Sequence, residues 1–134
     1  MEKAIRSHAD HFQENHPEIV VQLDLMKDGK SLPEQSRLGL FRIYQQLLSN
    51  VIRHAGANRL IIRLHLDDEC VTLEVEDNGC GFDVPRKWID LVRNGHFGLV
   101  GASERAEALG GRLEIESQPG KGALVRAVIP RLKV

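Results

Sequence analysis

Apolar residues alternate with polar ones along several stretches of this chain and recur at three- and four-residue spacing along others, and the two periods divide it into strands and helices. Ala4, Ile5, Ala9 and Phe12 stand among charges over residues 2–16, a weakly amphipathic helix that ends near Asn15 and Pro17. Val21, Leu23 and Leu25 share one parity in a strand over 19–26, which Asp28-Gly29-Lys30 turns. Ser31-Leu32-Pro33-Glu34 has the spacing of a capping box and opens the longest helix, about residues 33–55. Its apolar set of Leu40, Phe41, Tyr44, Leu47, Leu48, Val51 and Ile52 covers a wide face, as expected of a central helix lying on a sheet. Leu60, Ile62, Leu64 and Leu66 alternate next, and the turn at 67–69 leads into a strand that begins at Val71, which predicts an antiparallel hairpin. Trp88, Leu91 and Val92 mark a short helix, broken at 94–98, before a second helix from Leu99 to Leu109 that Gly110-Gly111 stops. Leu113 and Ile115, then Ala123 to Ile129, give two last strands joined by the turn at 118–122. The order α-β-α-β-β-α-α-β-β predicts an α/β two-layer sandwich, a single domain over 1–134 whose mixed, mostly antiparallel sheet is covered on one face by helices.

Two features break these patterns. Asp77 falls on the same parity as Val71, Leu73 and Val75, so the strand aims a carboxylate at the core, where it is costly without hydrogen-bond donors. Gly79 and Gly81 follow at once, and glycines let backbone come close to a ligand. An inward Asp opening a Gly-x-Gly turn reads as a ligand-anchoring acid; Asp-Asn-Gly is equally a turn in which Asp77 caps its own backbone. On the long helix Gln46, Asn50 and His54 recur at four-residue steps with Arg42 and Arg53 beside them, which lines two amides and an imidazole along one strip. That strip is either a site or a solvated helix face.

Composition narrows the classes. Lys plus Arg number 18 against 19 Asp plus Glu, a net charge of −1, so the broad basic field that nucleic-acid binding needs is missing. Cys70 and Cys80, at opposite ends of one strand, are badly placed to pair or to hold zinc, which suits a reducing, cytoplasmic setting. No apolar run approaches the ~18 residues of a membrane span. His8, His11 and His16 sit on or just past the first helix without ligand partners at metal spacing, and read as a solvated polar face.

Three stretches now lie in order: the end of the Asn50 helix, Asp77-Asn78-Gly79-Cys80-Gly81 after a strand, and Gly98-Leu99-Val100-Gly101 at a helix start. Together they resemble the catalytic ATP-binding domain of sensor histidine kinases, within the Bergerat-fold ATPases that include gyrase, heat-shock protein 90 and MutL proteins. The likeness runs from about residue 18 to Pro130 and is nearest to the nitrate-sensor, desaturase-regulator and competence-sensor kinases, whose glycine-rich run is matched by Gly95 through Gly111. It implies that Asp77 accepts the adenine amino group of ATP, with Gly79, Gly81 and Phe82 beside it. It implies that Asn50 holds Mg2+ on the phosphates, with Arg53 and His54 nearby, and that His96, Gly98, Leu99 and Gly101 meet the nucleotide below a lid of about 84–97. Gly120 and Gly122 match a structural turn.

The family's glutamate four residues before the magnesium asparagine is replaced by Gln46, which can orient a water and cannot take its proton. No phosphoacceptor helix hairpin is present in this sequence. The resemblance therefore implies a domain that gives the ATP γ-phosphoryl group to a histidine on a separate helical domain, serves a response regulator through the full-length protein, and is a monomer alone. The full-length protein can also carry a membrane anchor. A serine kinase of the anti-sigma-factor type and a degenerate nucleotide-binding interaction module are the rival readings.

Overall fold

The computed structural model describes residues 1–29, 31–54, 56–84 and 97–131. Its elements are α1 (Glu2–Asn15), β1 (Val20–Leu25), α2 (Glu34–His54), β2 (Arg59–Leu66), β3 (Cys70–Asp77), α3 (Phe97–Ala108), β4 (Arg112–Ser117) and β5 (Ala123–Pro130). The helix expected around Trp88, Leu91 and Val92 and most of the expected lid lie outside the described residues.

The five strands form one sheet in the order β1-β2-β3-β5-β4, with β1 parallel to β2 and every other pair antiparallel. Parallel neighbours need a crossover, and α2 is that crossover. The β2–β3 hairpin is closed by Asp67, whose Oδ1 accepts the N–H of Glu69 at 2.8 Å and of Cys70 at 2.7 Å.

Register sorts the helix-facing side into three rows. Leu25, Leu64, Leu73, Ala127 and Leu113 make the first, and Leu23, Ile62, Val75, Val125 and Ile115 the second. The third is Val21, Leu60, Asp77, Ala123 and Ser117. Burying a large aliphatic side chain is worth ~1.5–3 kcal/mol, and a one-residue slip would expose a whole row, so these rows fix the register. Two of the five positions in the third row are polar, and there the core gives way to a site.

The helices cover these rows. Ile5, Ala9 and Phe12 of α1, Leu40, Ile43, Tyr44 and Leu47 of α2, and Leu99, Ala102 and Ala106 of α3 join the sheet in one core. Ala4 of the expected α1 stripe is exposed. Ile43, outside the expected face of α2, is fully buried, whereas Ile52 is 48% exposed. The sheet presses α2 on one side and α3 on another, which turns the buried stripe away from Ile52. The capping box at Ser31 does not form as expected: the Ser31 hydroxyl donates to the Asp28 carbonyl at 2.6 Å, and Pro33 accepts the first helical N–H, from Arg37. His8 is no solvated side chain either. Its Nδ1 lies 2.9 Å from the Tyr44 hydroxyl and its ring is edge-on to Phe41 and Tyr44, so it ties α1 to α2. Among the described residues no helix is long and apolar enough to cross a membrane.

Candidate nucleotide site

The third row explains how Asp77 is placed. The carboxylate is 7% exposed and faces the helix layer, beside Leu60 and Ala123. Its Oδ1 accepts the Gly79 N–H at 2.8 Å. Burial pushes its carboxyl above the ordinary range, partly opposed by N–H donation from Gly79 and Ala123, and Glu76 nearby adds to the upward shift. The two sequence readings of Asp77 are therefore not exclusive: it turns its own backbone and it sits inward as an acid.

The chain beyond Asp77 is held by groups that periodicity did not single out. Asn78 points the other way, where its Oδ1 accepts the N–H of Asn58 at 3.1 Å and of Arg59 at 2.9 Å, and its Nδ2 donates to Asn58 Oδ1 at 2.6 Å. Ser117 accepts the Phe82 N–H at 3.0 Å and donates to the Gly122 carbonyl at 2.7 Å. The Gly120 N–H donates to the Cys80 carbonyl. Gly81, at φ +62°, is wedged so tightly that a Cβ would stand 2.1 Å from the Gln118 carbonyl oxygen. Residues 78–82 are thus clamped on the β4–β5 turn, with Phe82 partly buried against the core. Ser117 carried the same signal as Asp77, a polar residue on an apolar parity.

The facing wall comes from α2 and α3. Gly39 of α2 meets Leu109, just past the end of α3, and Gln46 of α2 meets Gly101 of α3, so the two helices run antiparallel. A Cβ on Gly98 would lie 3.3 Å from the Gln46 carbonyl oxygen, and one on Gly101 would lie 2.6 Å from Gln46 Nε2. Both glycines therefore let α3 approach α2. The first turn of α3 holds no acidic residue. Leu99 is fully buried, so its side chain belongs to the core and only its backbone belongs to this helix start. Asn50 is 7% exposed, one turn beyond Gln46, and Arg53 is exposed. His54 ends α2, and its side chain lies outside the description, as does His96 altogether.

Gln46 Oε1 is buried with no hydrogen-bond partner among the described residues. An orphaned acceptor in a polar corner suits a bound water or a hydrated cation. Among the described residues no group of His, Cys, Asp and Glu could hold a metal ion by itself.

A cavity of about 930 Å³ opens at the same end of the sheet. Ile61, Glu76, Leu124 and Glu116, which form a row on the outward face, contribute to its floor. Asp77, Ala123 and Ser117 of the third row line it as well, so the cavity reaches residues of both parities at that end of the sheet.

Residues 35–133 match the family model of histidine kinase-, DNA gyrase B- and HSP90-like ATPases. The chain is 34% identical over 117 residues to the signal transduction histidine-protein kinase/phosphatase DegS of Brevibacillus brevis, an alignment covering 87% of this chain and 29% of that protein. It is 37% identical over 102 residues to the sensor histidine kinase ComP of Bacillus subtilis, covering 76% of this chain and 13% of that one. Among solved structures it resembles the Erythrobacter litoralis EL346 blue-light activated histidine kinase, with a TM-score of 0.74 at 18% identity over 97% of this chain and 41% of that one. It also resembles the Acinetobacter baumannii histidine kinase AdeS, with a TM-score of 0.69 at 22% identity over 98% of this chain and 63% of that one. The chain thus spans less than a third of the two curated relatives it matches here, while the fold agrees over nearly its whole length. On its matched sequence, and with the helix-covered mixed sheet that its residues build, the chain belongs to the histidine kinase-, DNA gyrase B- and HSP90-like ATPase family.

Proposed function

We propose that this chain binds Mg-ATP between the sheet and the α2–α3 wall and supplies the γ-phosphoryl group to a histidine on a separate helical domain of a two-component sensor kinase. The observation that carries the reading is Asp77, an inward carboxylate at 7% exposure on the strand face it shares with Val71, Leu73 and Val75, which supports its accepting the amino group of adenine. Gly79 and Gly81 shape that end, and Phe82 closes its side. The N–H groups at the start of α3, from Gly98 through Gly101, face the phosphates, with Arg53 and His54 as cationic or hydrogen-bonding neighbours. Magnesium, when bound, neutralises charge on the phosphates, and Asn50 is the residue that would complete its shell. Gln46 orients a water without deprotonating it, so the site positions a phosphoryl group for an acceptor more than it activates water. A response regulator would receive the phosphoryl group through the full-length protein.

The test is thermal unfolding of the chain titrated with ATP, ADP and GTP, with and without magnesium. Saturation at a hundred times Kd stabilises by about 2.7 kcal/mol, on the order of 8 °C for a chain of this size. ATP and ADP should give that shift and GTP should not. Asn50→Ala should remove most of the magnesium-dependent part. Equal ATP and GTP shifts would remove Asp77 from the adenine role, and no shift with any nucleotide would leave a degenerate interaction module, the reading that Gln46 favours. Phosphate appearing on a serine of an added protein would instead favour the serine-kinase reading.

A further inference from the structure

The sheet has two edges, and they are guarded differently. β4 carries Arg112, Glu114 and Glu116 on its outward parity, and charges there deter a further strand. β1 carries one charge, Asp24. Along the open face Arg63 pairs with Glu76 at 3.2 Å, and Arg126 with Glu74 at 3.0 Å and Glu114 at 3.1 Å, yet Asp24, beside Arg63 in the register, forms no ion pair among the described residues. Val20 and Met26, at the two ends of the same face, are 57% and 40% exposed. Their N–H groups donate towards β2, to the Asn58 carbonyl at 2.8 Å and the Leu64 carbonyl at 2.9 Å, so the alternation of the strand turns those of Val21, Leu23 and Leu25 to the free edge. Gln13 of α1 closes the first part of that edge. Its Oε1 accepts the Val21 N–H at 2.8 Å, and its Nε2 donates to the Ile19 carbonyl and, at 3.2 Å, to the His16 carbonyl. Bonds to the carbonyl of Ile19 and the N–H of Val21 are those that one residue of a parallel strand would make. Among the described residues no such bond reaches the edge groups of Leu23 or Leu25.

We infer that the free edge of β1 is a pairing surface for a second copy of this chain, and that Gln13 holds it shut. A twofold axis makes two like edges run antiparallel. With Leu23 facing Leu23 of the second copy, Val21 meets Leu25 on the helix side and Val20 meets Met26 on the open side, so the exposed apolar ends of the strand cover one another. Gln22 then stands opposite Asp24, an amide against a carboxylate. Shifting the register one way sets Asp24 against Asp24, where like charges repel, and shifting it the other way sets Met26 against Glu18. The pairing needs the Val21 N–H for the carbonyl of Leu25 across the axis, and Gln13 already holds it. The parent chain therefore stays single, whereas loss of the Gln13 amide leaves an edge donor that a second β1 satisfies.

Hydrogen exchange on the unmutated chain tests the closed edge: the Val21 amide should be protected, and those of Leu23 and Leu25 should exchange roughly tenfold faster or more. Light scattering over a dilution series tests the pairing. Gln13→Ala should dimerise roughly tenfold more tightly than the parent or better, with protection gained at Leu23 and Leu25. Ile5, Ala9 and Phe12 keep α1 on the core without Gln13. At exposed position 22 of that variant, Gln22→Lys should tighten the dimer about fivefold, through an opposite charge facing Asp24 on each side of the axis, and Gln22→Asp should weaken it by about as much. These two differ only in a solvent-facing charge, so their comparison is free of any effect of Gln13→Ala on folding. A monomeric Gln13→Ala, a parent that dimerises as tightly, equal dimers from the two position-22 variants, protection gained along β4 instead, or equal protection of Val21 and Leu23 in the parent would overturn the inference.

Discussion

Asp77 is held where its charge is disfavoured, and this has two measurable consequences. A charged hydrogen bond to the adenine amino group is worth about 1.5–3 kcal/mol, so Asp77→Asn should weaken ATP binding roughly tenfold or more, read by isothermal titration. Because burial raises its carboxyl above the ordinary 3.8, the folded chain binds that proton more tightly than the unfolded chain. The stability it contributes is complete in acid and is lost as the pH climbs through the folded value. Melting temperatures of the unmutated chain should therefore gain on those of Asp77→Asn as the pH is lowered from 7 towards 3.8. A constant difference would mean that Asp77 is not shifted. Two glycines make a second contrast. Gly81→Ala puts a Cβ 2.1 Å from a backbone oxygen at φ +62°, where nothing flexible can yield, and should cost more than the ~1–3 kcal/mol of a strained backbone alone in urea unfolding. Gly101→Ala meets only the tip of Gln46, and helix propensity returns ~0.5–1 kcal/mol, so its stability should stay close to that of the parent.

At the scale of elements, two devices fix the borders of the site. The C-terminus of α3 is a Schellman motif: Gly111 N–H donates to the Ala106 carbonyl and Gly110 N–H to the Glu107 carbonyl, both at 2.9 Å, with Gly110 at φ +80°. It ends α3 so that β4 can start at Arg112. The other device is Ser117, which joins the loop after β3 to the β4–β5 turn. Ser117→Ala leaves the Phe82 N–H and the Gly122 carbonyl without their partner and should cost about 1–3 kcal/mol in denaturant unfolding. It should weaken ATP binding as well, because Phe82 and Gly81 move with that clamp. Unchanged ATP affinity in a destabilised variant would show the clamp to be structural alone.

For the whole molecule, the layers divide the work: the sheet's outward face carries its own ion pairs, and the helix side carries the candidate nucleotide site. The isolated chain should bind ATP without labelling itself. In-line transfer needs an acceptor beside the γ-phosphate, and His8 is tied to Tyr44 between α1 and α2, while His54 stands on the site helix itself. Incubation with γ-labelled ATP should leave this chain unlabelled, and a matching helical domain added in trans should acquire acid-labile, base-stable phosphate. Gln46→Glu should raise hydrolysis more than transfer, since only the water reaction uses a base there. Label on this chain alone would overturn the division of labour.

The sequence by itself determined the five strands, the three helices of the described residues and the inward parity of Asp77, because period two and period 3.6 are local properties of the chain. It also determined that α3 stops at Gly110, where a left-handed turn needs glycine. Only the tertiary structure decided that β5 would lie between β3 and β4, which brings Ser117 into the row of Asp77. Only it decided that Gly98 and Gly101 would press against Gln46, and that Ile43 rather than Ile52 would be buried. Each of these depends on which distant element arrives at a given face, and neither propensity nor periodicity encodes a partner tens of residues away. The ion-pair ladder of the open face is of the same kind: its residues are plain in the sequence, and their pairing exists only across strands.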